Sequence, residues 1–521
     1  MRFTKQELPT ETTGKVGKML PSLHREFEGE FCSGPVKIKL RSKTVSKSPY
    51  NRFYDRFLRL IIALSGGIFL YSAAPVYAHQ PLSRINLDES HTITRTIPEQ
   101  IADSHIDSNS LDDILNHGDL IDAVKQIEQN WLNEYLNYFQ SDMPEIYMTA
   151  NQIADTLALL GEQTGKKPAL IYLVPNPNKL DVLLLLPNRQ IIGKSIPQAK
   201  PKALIDVGEK LQIEVTAPVK RNKNTYLESA QQLYQWIIAP LELELQEQGI
   251  ETLIFCVGSG LRTLPFAVLH DGEQFLVENY SLGLIPAFNL TESLYQDIKN
   301  SSVMAMGASE FEELSSLPGV PVELEEISED LWQGESFLNE EFTLDNLRSQ
   351  HQSKQFQIIH LATHAEFLPG DPSNSYIQFW DGELTLDLMG QLQLKNPPIE
   401  LLVLSACQTA IGDRDVELGF AGLAVNSGVK SALASLWYVS DLGTLGLMSE
   451  FYQSLQTAPI KAEALREAQI AMLQGKVYIE NGELHGTNNR IVLPPELRSS
   501  RKETFSHPYF WAGFTMIGSP W

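Results

Sequence analysis

Two apolar runs in the second half of the chain end in residues that could together make a nucleophile. The run at 356–360, in FQIIHLATHAEF, is followed by His364, and the run at 400–405, in ELLVLSACQTA, is followed by Cys407. Short branched runs without alternation predict buried parallel strands. Reactive groups collect at the carboxyl ends of such strands. An imidazole there can take the proton of a thiol, and the thiolate then attacks an electrophile.

The residue pattern leaves structural alternatives open for these side chains. Cys407 is either a nucleophile exposed by the tight turn that small and polar neighbours indicate, or a buried core residue. His360 belongs to the apolar run, and we interpret it as a hydrogen-bonded structural histidine, which leaves His364 as the better base. The backbone N–H groups of Ala365 and Cys407 are candidates for an oxyanion hole, a role that needs no particular side chain.

Asp441 follows the next predicted strand, in ASLWYVSD, and therefore lies at the same edge of the sheet. One interpretation is a helix N-cap for residues 442–455. Another is a carboxylate at the floor of a specificity pocket, which would select a basic side chain by charge pairing. The two roles are compatible.

Composition limits the ligands that the chain can be expected to bind. The first 59 residues hold 13 Lys and Arg against 6 Asp and Glu, leaving 28 of the 41 basic and 58 of the 64 acidic residues for the remainder. So acidic a body repels phosphate backbones, and we predict no nucleic-acid binding. The three cysteines form no metal-binding spacing, and Cys256 fits a small buried hydrophobe. Nucleotide-binding motifs are also lacking, so we predict neither metal nor cofactor.

The amino-terminal region reads as a polar, basic and disordered leader over 1–59, followed by an uncharged segment of 19 residues at 60–78. That length suffices for one membrane crossing. Its small-residue end also fits a secretory cleavage site. Both alternatives predict a cell-envelope protein, inner-membrane anchored or exported to the periplasm or extracellular side, with a cytoplasmic amino terminus. Residues 79–109 read as a linker.

The remaining residues predict one helical segment and two rounds of strands and helices. Residues 110–165 carry apolar positions at three- and four-residue spacing, typical of amphipathic helices. Alternating strands and helices follow over 166–300, including a hairpin at 266–286, and again over 301–521. This alternation predicts an α/β fold with a mostly parallel sheet and helices on both faces.

Several separate blocks resemble the CHAT domain, namely HLATHAEF, LLVLSACQTAIGD, ELGFAGLAVNSGVKSALASLWYVSD and the terminal HPYFWAGFTMIG. CHAT domains are caspase-like cysteine peptidases of the same clan as separase and gingipain, and the resemblance covers about residues 150–521. It implies a caspase-like three-layer α/β/α sandwich with two tandem halves, a degenerate non-catalytic one at 166–300 and a catalytic one at 301–521. The sequence departs from the usual pattern at Ala365, where glycine is common, and at Glu417, in place of a Gly-Glu-Gly segment.

By this resemblance His364 takes the base position and Cys407 the nucleophile position, and Asp441 matches the aspartate at the pocket for a basic P1 residue. The first hypothesis is accordingly a cysteine endopeptidase that cleaves a protein substrate, after a basic residue if Asp441 lines the pocket. The second hypothesis is a membrane-tethered scaffold or adaptor whose caspase-like fold binds partners without cleaving them. Under either one, residues 110–165 could receive a regulatory protein partner.

Overall fold

The computed structural model describes residues 114–115, 118–141, 147–221, 223–409, 413–499 and 501–521, and of residues 406–408 it describes the backbone alone. All of these residues belong to one compact unit, Thr96–Trp521. The predicted leader, the apolar segment 60–78 and the linker 79–109 lie outside the described residues. Within the described ranges, no helix has the length and apolar character that a membrane crossing requires.

The described chain alternates helices and strands. The helices are α1 Leu120–Phe139, α2 Ala150–Thr164, α3 Pro201–Thr216, α4 Tyr226–Ile237, α5 Glu242–Glu247, α6 Leu276–Asn279, α7 Val320–Glu325, α8 Leu344–Ser353, α9 Arg414–Ala421, α10 Leu423–Ser427, α11 Asp441–Leu455 and α12 Lys461–Leu473. The strands are β1 Pro168–Asn176, β2 Lys179–Leu185, β3 Ile191–Ile196, β4 Thr252–Val257, β5 Ser281–Ile285, β6 Ser302–Gly307, β7 Gly334–Leu338, β8 Phe356–Phe367, β9 Tyr376–Phe379, β10 Gly382–Thr385, β11 Leu401–Thr409, β12 Ser431–Ser435, β13 Tyr478–Glu480, β14 Glu483–His485, β15 Arg490–Val492, β16 Glu503–Thr504 and β17 Phe514–Gly518.

Thirteen strands form one sheet that both halves of the sequence share. Its order is β7-β6-β8-β11-β12-β17-β5-β4-β1-β2-β3, and the β9–β10 hairpin attaches to the far end of β8. The pairs β6–β8, β8–β11, β11–β12, β5–β4 and β4–β1 are parallel. Every residue of the central strands β4 and β12 is buried, so both faces of the sheet are covered. The predicted α/β class with a mostly parallel sheet is confirmed.

The last strand of the chain, β17, joins the two blocks of strands. It pairs antiparallel with β12 over five positions, and parallel with β5 at Ile517 and Leu284. One hydrophobic core contains residues from α1, from both blocks and from the carboxyl terminus. Because β17 lies between the blocks, the sheet is complete only after the end of the chain has folded back between them.

The helical segment predicted over 110–165 contains α1 and α2 in the described residues. The Asp119 side chain caps α1 by accepting from the Asp122 N–H, and Thr149 and Gln152 form a reciprocal capping box at α2. The apolar stripe of α1, which includes Ile127 and Trp131, is buried in the common core. These helices are therefore packed onto the sheet.

Candidate active site

The two strands predicted to end in His and Cys lie side by side, but both run further than the sequence indicated. Strand β8 continues through His364 to Phe367, and β11 continues through Cys407 to Thr409. The prediction that these two residues lie in loops beyond the strands is wrong. The strands persist past the apolar runs because the extension of β8 pairs with β11 on one edge and with β9 on the other.

The register of β8 and β11 brings the candidate base and nucleophile to neighbouring backbone positions. His364 is opposite Ala406, and Cys407 is opposite Ala365, after a shift in register between Leu404 and Ala406. Adjacent strands lie about 4.8 Å apart. The backbones of His364 and Cys407 therefore lie on adjacent strands, one residue apart in register.

The His364 ring is held in one orientation by the loop that follows β6. Its Nε2 lies 2.8 Å from the carbonyl oxygen of Ser315. A carbonyl oxygen can only accept, so Nε2 carries the hydrogen and Nδ1 of the neutral ring is left as the acceptor. The Phe311 ring meets the imidazole edge-on with centroids 4.8 Å apart, and the Tyr438 ring lies nearly parallel to it at 6.5 Å. The ring is therefore oriented with Nδ1 as its acceptor nitrogen.

Asp441 lies at the same edge of the sheet, as the first residue of α11. The N-cap is its neighbour Ser440, whose side chain accepts from the Gly443 N–H, so the N-cap interpretation of Asp441 is wrong. One Asp441 carboxylate oxygen accepts from the Gly319 N–H at 3.3 Å. Burial raises the pKa of Asp441 to about 6, and the charge of Glu323 adds to the rise. The proximity of His364 acts in the opposite direction.

His360 lies beneath the site and is fully buried, at 0% exposure. Its Nε2 is 2.9 Å from a carboxylate oxygen of Glu323, and its Nδ1 is 3.2 Å from the Tyr452 hydroxyl. Both ring nitrogens are thus occupied by buried partners. The prediction of a hydrogen-bonded structural histidine is confirmed.

Ala365, one of the two predicted oxyanion-hole residues, is buried between β11 and β9. Its backbone is opposite Cys407 on one side and Ile377 on the other. The assignment of the N–H groups of Ala365 and Cys407 to an oxyanion hole stays a prediction.

The loop at 309–319 contacts both His364 and Asp441, and sequence reasoning missed it. Ser315 offers its carbonyl to the imidazole and Gly319 offers its N–H to the carboxylate. The loop is closed on itself by a hydrogen bond from the Leu317 N–H to the Ser309 carbonyl at 3.0 Å. Its hydrogen bonds to the site come from backbone groups of Ser315 and Gly319, which no residue type in the sequence could have indicated.

In the part of the chain that the structure describes, no group of three or more His, Cys, Asp or Glu side chains is arranged to hold a metal ion. Cys256, predicted to be a small buried hydrophobe, is fully buried in β4, and burial raises the pKa of its thiol well above the ordinary value.

Comparison with known proteins identifies the family. Two crystal structures of the Saccharomyces cerevisiae separase–securin complex, at 2.6 and 3.0 Å resolution, resemble this fold with TM-scores of 0.44 and 0.42 and identities of 11% and 10%. Each match covers 76% of this chain and 33% of the other, so the chain spans a third of those chains. No curated protein matches. The family model of the CHAT domain matches residues 227–519, more than half of the 521 residues, and the chain therefore belongs to the CHAT domain family.

Proposed function

We propose that this protein is a cysteine endopeptidase in which His364 and Cys407 form the catalytic dyad. The observation that carries the proposal is the hydrogen bond from His364 Nε2 to the Ser315 carbonyl, at 2.8 Å. It holds the tautomer whose Nδ1 accepts a proton, on the strand that pairs with Cys407. Ring contacts with Phe311 and Tyr438 support this orientation.

The reaction follows from these two groups. Nδ1 of His364 takes the thiol proton, and the thiolate of Cys407 forms a bond to the carbonyl carbon of the scissile peptide. The tetrahedral intermediate collapses when the imidazolium gives its proton to the departing amine, which leaves a thioester. Water then attacks the thioester with the same imidazole as base, and the carboxylic acid product leaves the regenerated thiol.

The proposed P1 residue is Arg or Lys. Asp441 lies close enough to His364 for their charges to interact, and it is half-buried. A carboxylate in such a position pairs well with a guanidinium or ammonium group that enters from solvent. The charge pairing would also offset the cost of keeping this carboxylate ionised at neutral pH.

The full chain incubated with a peptide library of mixed P1 residues tests the proposal. We expect cleavage by the wild type and by Cys256→Ala, which changes a buried thiol in the other half, and none by Cys407→Ala. A preference for Arg and Lys that Asp441→Asn abolishes would support the pocket, and a preference for P1 Asp would refute it. Failure of the wild type to cleave any peptide, with Cys407 alkylating no faster than a free thiol, would favour a scaffold or adaptor.

We further propose that residues 60–78 direct the protein to the cell envelope, as a membrane anchor or a cleaved export signal, with the amino terminus in the cytoplasm. The support is the uncharged run of 19 residues that follows a basic flank. A reporter fused after residue 100 should be active outside the cytoplasm. Activity of that reporter in the cytoplasm alone would refute the proposal.

We also propose that a regulatory protein binds at residues 110–165. The buried stripe of α1 packs on the sheet, so a partner would contact the opposite, exposed face of these helices. Pull-down with the full chain, before and after charge reversal of exposed residues such as Lys125, tests this proposal. A partner that binds equally well after such changes across that face would refute it.

A further inference from the structure

The segment Tyr509–Phe510 contacts the chain on both sides of Asp441. On the amino-terminal side, the Tyr509 hydroxyl donates to the Tyr438 carbonyl at 3.0 Å. The indole N–H of Trp437 donates to the Tyr509 carbonyl at 2.9 Å. The first bond fastens the backbone at Tyr438, and the second fastens the side chain of its neighbour Trp437. Both residues lie shortly before Asp441, and the Tyr438 ring lies beside the imidazole.

On the carboxyl-terminal side, the Phe510 ring lies against the first turn of α11. A Cβ atom added at Gly443 would be 2.8 Å from a ring carbon of Phe510, so only glycine allows the ring to come this close. Asp441 begins the same turn. Its backbone is therefore fixed between the Tyr509 hydrogen bonds and the Phe510 ring.

The same segment is anchored to the half of the chain predicted to be non-catalytic. The guanidinium carbon of Arg221, from the connection between α3 and α4, is 3.6 Å from the centroid of the Tyr509 ring. His507 Nδ1 accepts from the Tyr509 N–H at 3.2 Å, and the His507 ring meets the Tyr226 ring edge-on at 5.2 Å. An Arg guanidinium over an aromatic face is an attractive and planar contact.

We propose that Tyr509 is a positioning residue for the pocket around Asp441, and that Arg221 transmits this positioning from the first half of the sheet. The inference rests on the proposed function, in which Asp441 receives a basic P1 side chain. It assigns the first half a role in substrate selection, because Arg221 of that half contacts the Tyr509 ring and Tyr509 in turn binds the backbone of Tyr438. In this role the Tyr509 hydroxyl acts through its hydrogen bond to the Tyr438 carbonyl.

Tyr509→Phe tests the proposal because it removes the hydroxyl and keeps the ring. With peptides that carry Arg or the uncharged isostere citrulline at P1, we expect KM for the Arg peptide to rise about three- to tenfold, as the loss of one hydrogen bond would give. We expect kcat to change less than about twofold, and the preference for Arg over citrulline to fall. An unchanged preference would overturn the proposal.

Tyr295→Phe is the matched control. Its hydroxyl also donates to a backbone carbonyl, that of Pro459 at 3.1 Å, so the chemical change is the same. We expect the two variants to lose similar thermal stability and only Tyr509→Phe to change the preference. Equal changes of preference in both variants would mean a general effect of destabilisation and would contradict a positioning role.

Arg221→Lys is a second variant, which keeps the charge and loses the planar contact with the ring. We expect a change of preference in the same direction as that of Tyr509→Phe and smaller, about two- to threefold. In the double variant with Tyr509→Phe, the two effects should not multiply, because both act through the same backbone. Multiplicative effects would refute transmission from Arg221.

A binding measurement separates this inference from the peptidase proposal. In the Cys407→Ala chain, calorimetric titration with the uncleaved Arg and citrulline peptides reports the pocket without any reaction. If the wild type cleaves nothing, yet the Arg peptide binds more tightly than the citrulline peptide and Tyr509→Phe weakens that difference, the peptidase proposal fails and the positioning role stands. If Arg and citrulline bind alike in the Cys407→Ala chain, the positioning role is overturned.

Discussion

Two strands of the same sheet carry a cysteine close to their carboxyl ends, and their neighbours differ. Cys256 is the fifth residue of β4, opposite Tyr172 on β1 and Ile285 on β5. Cys407 is the seventh residue of β11, beside the strand that carries His364. Position near a strand end is common to both cysteines. Of the two cysteines, only Cys407 has a histidine near it on the adjacent strand.

The surroundings of Cys256 oppose ionisation of its thiol. Its sulfur lies 3.5 Å from the Pro286 carbonyl, and burial together with the nearby carboxyl of Glu128 raises its pKa well above the ordinary value. The phenol of Tyr172 has a raised pKa as well and donates to Glu128 at 2.9 Å. The surroundings of Cys256 therefore disfavour the thiolate, the form that acts as a nucleophile, whereas the strand beside Cys407 carries an imidazole.

The largest expected change in kcat distinguishes substitutions at the two cysteines. Cys407→Ala removes the nucleophile, and we expect kcat to fall at least about 10³-fold. Cys256→Ala leaves a small void in the core, and we expect a free energy of unfolding lower by about 1 kcal/mol with kcat within about twofold. Hydrolysis of a fluorogenic Arg peptide and urea unfolding measure both quantities. A large loss of kcat in Cys256→Ala, with the fold intact, would refute the distinction.

The second largest expected change in kcat distinguishes substitutions at the two histidines of β8, His360 and His364. His364→Gln keeps a donor for the Ser315 carbonyl and loses the base, so we expect kcat to fall about 10²–10⁴-fold with little change in stability. His360→Gln leaves the buried Glu323 imperfectly paired, and we expect the free energy of unfolding to fall by about 1–3 kcal/mol. The same assays apply. If kcat fell equally in both variants, His360 would also belong to the catalytic groups.

The lengths of β8 and β11 show what the sequence could not predict. The apolar run of β8 ends near Leu361, yet the strand continues six residues further, to Phe367. Its extension depends on pairing with β9 and β11, whose register is a long-range property. The order of the His and Cys strands and the mostly parallel sheet were predictable, because the alternation of apolar runs and helices can be recognised from short stretches of the sequence.

The hairpin predicted over 266–286 shows a second kind of error. Only one isolated antiparallel β-bridge, between His270 and Phe275, flanks its polar turn, and α6 begins at the next residue. The predicted second arm, β5, pairs parallel with β4 instead. Turn residues indicate where the chain reverses, but they do not decide which strand the next segment joins. The small sheet of β13–β16 was missed because strands of two or three residues carry no measurable alternation.

A third effect concerns Asp441 and pH. With its pKa raised to about 6, we expect the preference for P1 Arg over citrulline to fall about tenfold as the pH falls from 7 to 5, because the carboxylate becomes protonated. The ratio of the two substrates cancels the titration of the dyad. Asp441→Asn should show a low preference at every pH. A preference that stays constant from pH 5 to 7 in the wild type would rule out Asp441 as the selecting charge.

The raised pKa of Asp441 also predicts a pH dependence of stability, which can be measured without an activity assay. The folded-state pKa of Asp441 lies above the unfolded value, so between about pH 4 and 6 the folded chain binds more protons, and the free energy of unfolding falls as the pH rises. The difference between the folded-state and unfolded-state pKa of Asp441 corresponds to about 1–2 kcal/mol once its partial exposure to solvent is taken into account. Asp441→Asn should therefore be more stable than the wild type at pH 7 and similar to it at pH 4.

The smallest change in kcat should come from the loop at 309–319, whose Phe311 ring contacts the imidazole of His364. Phe311→Leu removes the ring that meets His364 edge-on at 4.8 Å. Since such a ring pair contributes about 0.5–1.5 kcal/mol, we expect kcat to fall about two- to tenfold with KM unchanged. Phe337→Leu, which changes a half-buried ring on β7, is the control and should leave kcat unchanged. If Phe311→Leu raised KM and left kcat intact, the loop would contribute to substrate binding, and the orientation of His364 would rest on the Ser315 carbonyl and Tyr438.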